Sequence, residues 1–145
     1  MKILAKKQTM RHRSLRLASV VIGSLSLAGA TALMPIHETC AQPQQQVSYA
    51  EDLVPIFRGY CISCHQPGGE GYNASGFDLS TYQGLMKGTK FGPMVIPGQP
   101  DISNLVVLTE GRAAPQLRMP HGHKQLPSCL RQQIWSWIFQ GAKDN

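Results

Sequence analysis

The sequence predicts an all-α domain, small and loop-rich, and three observations carry that reading. Apolar residues recur at helical spacing in four short stretches. Glycine and proline, 14 and 10 in 145 residues, punctuate the intervals and keep the helices short. No stretch alternates apolar and polar residues in the way a half-buried strand does.

The first helix begins at Ser48. Ser48-Tyr49-Ala50-Glu51 is a capping box, in which a serine side chain and a glutamate three residues on satisfy each other's free backbone N–H. Leu53, Ile56 and Phe57 or Tyr60 then fall on the buried side, and Pro55 keeps the helix short. Residues 66–77, QPGGEGYNASGF, read as turn and loop. A second helix runs from about Ser80 to Lys87 and stops at Gly88. FGPMVIPGQP is an irregular crossing. A third helix starts at Pro100 or Asp101 and carries Ile102, Leu105, Val106 and Leu108. After the loop EGRAAPQLRMPHGHKQLP comes the best-formed helix, Ser128 to Gln140. Its stripe of Leu130, Ile134, Trp137 and Ile138 is opposed by Arg131, Gln132, Gln133, Ser136 and Gln140. Four short helices give a thin apolar interior for a chain of this length. The sequence therefore predicts that a bulky apolar group fills the centre.

The formal charge of +6 invites a nucleic-acid or membrane-surface reading, and its distribution removes the first. Six of the 14 basic residues, Lys2, Lys6, Lys7, Arg11, Arg13 and Arg16, precede one apolar run, Leu17 to Met34. Pro35 and the small residues Thr39 and Ala41 follow. These are the parts of a secretory signal peptide over residues 1–41, with 42–47 as a polar linker and 48–145 as the domain. Beyond Ala41, eight basic residues face seven acidic ones, so the basic character belongs to the export segment. The expected location is periplasmic or otherwise exported. If residues 1–41 are retained instead, they form an N-terminal membrane anchor.

CISCHQPGG, at residues 61–69, carries the chemistry. Cys61-Ile62-Ser63-Cys64-His65 matches the c-type haem attachment pattern. Two cysteines three apart on a tight turn reach both vinyl groups of one porphyrin edge, and the adjacent imidazole ligates the iron. A redox dithiol would sit on a βαβ pattern, which is absent before Cys61. A zinc site drawn from Cys61, Cys64, Cys129 and His121 lacks the usual paired spacing. A disulfide between Cys61 and Cys64 closes too short a loop to constrain the chain much. For the sixth iron position the sequence offers Met86, Met94, Met119, His121 and His123. Met119, in a proline-stiffened loop, is the expected distal ligand, with His121 and His123 as alternatives. Met86 suits core packing and Met94 suits the wall of the cofactor's pocket.

The chain resembles class I c-type cytochromes, in particular the planctomycete-type cytochrome c domain. The resemblance rests on VPIFRGYCISCH, GFDLSTYQGLMKG, GPMVIPGQPDISNLV, RMP and IWSWIFQGA, over roughly residues 53–142. It implies a cytochrome c-like helical fold wrapped around one covalently attached haem c. It also implies thioethers at Cys61 and Cys64, His65 as proximal ligand and Met119 as distal ligand. First and last helices should cross through Leu53/Phe57 and Trp137/Ile138. Two departures stand out: Cys129 enters the terminal helix, and HGHK follows Met119-Pro120. Cys40 and Cys129 are left over. Cys129 reads as a buried apolar residue, a free thiol, an intermolecular bridge or, if the N-terminus is retained, a partner for Cys40.

The function expected is that of an exported monohaem electron carrier between redox partner proteins, such as an exported dehydrogenase and a terminal oxidase or reductase. It is not expected to be an enzyme, unless the sixth iron position is labile. A peroxidase-like haem enzyme or sensor, or a haem subunit docked to an exported oxidoreductase, are the rival readings. No nucleic-acid partner is expected, and a membrane only if residues 1–41 remain.

Overall fold

Ser48 opens the first element as its sequence requires, but with a different partner. The structure, a computed structural model, describes residues 45–145. The expected export segment (residues 1–41), Cys40 and the start of the linker lie outside these residues. Ser48 Oγ accepts from the backbone N–H of Glu51 at 3.2 Å, as a cap should. The return bond comes from Asp52, whose Oδ2 accepts from the Ser48 N–H at 2.8 Å. The reason is the wide first turn. Tyr49–Leu53 is π-helical, and its looser winding brings the fifth box position, rather than the fourth, back over the serine.

Helix α1, Val54–Tyr60, follows this turn directly, with Pro55 as its second residue. Leu53, Ile56 and Phe57 are buried, whereas Tyr60 is exposed. Helix α2, Glu70–Ser75, occupies the stretch expected as loop. It has no buried residue, so no apolar stripe announced it, and Gly71 with the glycines flanking the helix read as breakers. Helix α3, Tyr82–Lys87, starts two residues later than expected. Thr81 caps it, with Oγ1 accepting from Gly84 N at 3.0 Å, and it ends at Gly88.

The third expected helix is broken in two. Pro100–Ile102 forms a 3₁₀ turn, and α4 spans Asn104–Thr109. Ser103 divides them because its buried side chain bonds backbone. Its Oγ donates to Gln99 O at 2.8 Å and accepts from Ile96 N at 2.9 Å. Ile102, expected on the buried stripe, is consequently exposed. Helix α5, Ser128–Phe139, buries Ile134, Trp137 and Ile138. Ser136, expected on the polar face, is buried too, and its Oγ accepts from Gln132 Nε2 one turn earlier at 3.3 Å.

The described residues are helical, without a strand, so the fold is all-α. One apolar cluster holds it, and its largest buried side chains include Trp137, Phe57, Leu53, Leu85 and Leu126. Tyr49 packs tilted on Trp137 with ring centroids 5.7 Å apart, and edge-on to Tyr82 at 5.2 Å. The last residues close over the first. Asn145 O accepts from Ala50 N at 2.9 Å and from Ser48 Oγ at 2.8 Å, while Asn145 Oδ1 accepts from Tyr49 N at 3.0 Å. The Cys61–His65 segment lies at the margin of this cluster. Cys61 and Ile62 pack against it, and Cys64 is exposed.

Candidate functional site

The segment after α1 folds into a tight turn with backbone bonds that fix the spacing of its sulfurs. Cys61 N and Ile62 N both donate to Phe57 O at 2.9 Å. Cys61 O in turn accepts from Cys64 N at 3.1 Å and from His65 N at 2.9 Å. Two thiols three residues apart thus leave one turn, and both are free. Their surroundings differ. Burial, with Cys64 nearby as a lesser influence, pushes the Cys61 thiol from 9.0 up to about 12.

His65 is held from three sides. Its carbonyl accepts from Leu79 N at 2.8 Å. Phe77 meets its ring edge-on, with centroids 5.5 Å apart and planes at 70°. The backbone of α2 passes against the ring so closely that a Cβ on Gly71 would sit 2.7 Å from Cε1. A Cβ on Gly69, the residue before α2, would likewise run into the Cys64 carbonyl, so this stretch presses on the motif at two points. Burial lowers the His65 pKa, and the Phe77 backbone opposes that only partly, which favours a neutral ring. Its Nδ1 is buried and makes no hydrogen bond within the chain. A neutral, wedged imidazole with a buried nitrogen left unpaired is the chemistry of a metal ligand, and the flanking thiols suit a covalent tether. The residues fit a c-type haem.

Met119 is half-buried, on another loop. Its N–H donates to Leu108 O at 3.0 Å, tying the loop to α4. Arg118 Nη2 donates to His123 O at 3.0 Å and closes the loop behind it. His121 and His123 are exposed. Met94 lies in the core, and Met86 packs against it. Cys129 is half-buried and disulfide-bonded, so it is neither a buried apolar residue nor a free thiol. That bond also removes it from any zinc set. Among the described residues no three His, Cys, Asp or Glu side chains converge as a metal-ion site. Sequence reasoning missed Phe77 and Gly71. Phe77 gives no signal apart from its apolarity, and Gly71 is one glycine in a run of several.

Residues 61–121 match the family described as Planctomycete cytochrome C. Over this segment the chain is similar to that family. The matched range begins at Cys61, the first thiol of the turn, and ends at His121, just past Met119. Domains of this family carry covalently bound haem and serve electron transfer. No curated protein and no solved structure matches the chain.

Proposed function

We propose that this cytochrome c-type chain is an exported monohaem electron carrier, with one haem c joined to Cys61 and Cys64. His65 is the proximal iron ligand and Met119 the distal one. The observation that carries this reading is the turn itself: two free thiols beside an imidazole whose buried nitrogen has no partner in the protein. When bound, the haem supplies a reversible one-electron couple. The chain's own part is to hold that couple still. Backbone bonds fix the turn, Phe77 and α2 wedge the imidazole, and α4 anchors the Met119 loop.

Met119 is preferred over His121 and His123 because it is half-buried on an anchored loop while both histidines are exposed. Methionine–histidine ligation raises the potential relative to a bis-histidine pair. The signal-like residues 1–41 support export to the compartment where c-type haem is attached. The nearly balanced charge of residues 42–145 supports brief encounters with redox proteins over a small, partly apolar interface.

The test is to express the full chain with a c-type maturation system and purify it from the exported fraction. A pyridine-haemochrome spectrum of thioether-linked haem, and a mass increased by one haem, are expected. Cys61→Ser with Cys64→Ser should abolish both. A colourless wild-type product without added mass overturns the reading.

A further inference from the structure

Helix α2 buries none of its residues, so it adds nothing to the core. What it does touch is the Cys61–His65 turn. Tyr72 N donates to Cys64 O at 2.9 Å, pinning the helix there. At its second residue, Gly71, a Cβ would lie 2.7 Å from Cε1, 2.9 Å from Nδ1 and 3.0 Å from Nε2 of His65. Those three atoms form one edge of the imidazole, and real Cβ atoms essentially never come so near.

Backbone conformation does not explain the glycine, because Gly71 is not among the glycines with positive φ. Helix propensity does not explain it either, since alanine is the better helix former. Space does. Gly59, in α1, provides the contrast: a Cβ there would meet nothing within 4 Å. Phe77 closes the slot with its ring at 5.5 Å, and the Leu79 N–H fixes the His65 backbone from below. The imidazole is therefore left with little freedom to rotate about its own axis.

We propose that Gly71 is a positioning residue for His65, and that the bare backbone of α2 sets the orientation of the imidazole plane toward the iron. This rests on the reading of His65 as the proximal ligand. A side chain at position 71 would turn the ring or push α2 away, and the ligand field of the iron would change while the thioether links stayed intact.

The experiment compares full-length, haem-loaded wild type with Gly71→Ala, Gly59→Ala, Phe77→Leu and the Gly71→Ala/Phe77→Leu double variant. Haem content, reduction potential and the low-temperature electron paramagnetic resonance spectrum of the ferric protein are recorded. Gly71→Ala should keep its full haem content, yet lose most of the wild-type resonance to a new set of g values, with a shifted potential. Gly59→Ala should match wild type. The double variant, which gives the ring room on its other side, should recover part of the wild-type signal. Gly71→Ala with full haem and an unchanged spectrum and potential overturns the proposal. If Gly71→Ala does not fold, Phe77→Leu decides: an altered spectrum is expected, and an unaltered one overturns. A wild-type chain without haem overturns the proposed function instead. In that case the His65 Cε1–H chemical shift reads the slot directly, and Gly71→Ala must move it.

Discussion

Cys61 and Cys64 belong to one turn but meet reagents on different terms. Cys64 is exposed, whereas Cys61 is half-buried with its thiol pushed up to about 12, so it stays protonated at neutral pH. Since the thiolate is the reactive form, alkylation of the haem-free chain at pH 8 should label Cys64 well before Cys61. Peptide mass mapping over time checks this, and equal rates would contradict the burial of Cys61. Tyr49 is displaced in the same direction. Burial, aided by Asp144 and Asp78, raises its hydroxyl from 10.0 to about 12. A raised folded-state pKa stabilises the fold fully below the unfolded value and loses that contribution as pH rises through the folded one. Stability should therefore decline between pH 10 and about 12, and Tyr49→Phe should flatten the decline in thermal melts across that window. At the proposed iron site, Met119→Ala should leave the haem attached but open its sixth position. Rapid carbon monoxide binding to the reduced protein and a lower potential are the expected readouts, and unchanged spectra would refute the assignment.

At the scale of elements, the sequence was most legible where a cap and an apolar stripe coincide. Ser48 caps the first element, Gly88 ends α3, and α5 buries Ile134, Trp137 and Ile138 on the face its periodicity marks. The Cys61–His65 spacing was equally plain, because it is a local pattern realised on a local turn. Legibility failed where tertiary contacts decide. Helix α2 buries nothing, so no apolar stripe marks it, and what its Gly71 abuts is the imidazole of His65. The break at Ser103 could not be read from spacing, because Ile96, whose N–H the serine side chain satisfies, lies seven residues back. Ser103→Ala should remove the partner of that partly buried N–H and cost about 1 kcal/mol, measurable by denaturant unfolding of the haem-loaded protein. Ser48→Ala, which removes a cap and the bond to Asn145 O, should cost about 1 kcal/mol.

Over the whole molecule, stability and chemistry sit in different places. The aromatic cluster of Tyr49, Phe57, Tyr82 and Trp137 joins the first elements to the last, while the cysteine turn rides on its margin. Among the described residues the core is closed by side chains, with Cys61 and Ile62 packed at its margin. Trp137→Ala should accordingly destabilise haem-loaded and haem-free chains alike, by about 3–5 kcal/mol. Comparing denaturation midpoints of the two forms, each with and without the substitution, checks this. An effect confined to the haem-loaded form would place the haem inside the core. The same geometry bears on proteases. Val47 and Asn145 are hydrogen-bonded neighbours, Asn145 Nδ2 donating to Val47 O at 3.4 Å. Because these two segments pin each other, Asn145→Ala should let both fray, and limited proteolysis near Val47 should run faster than in wild type.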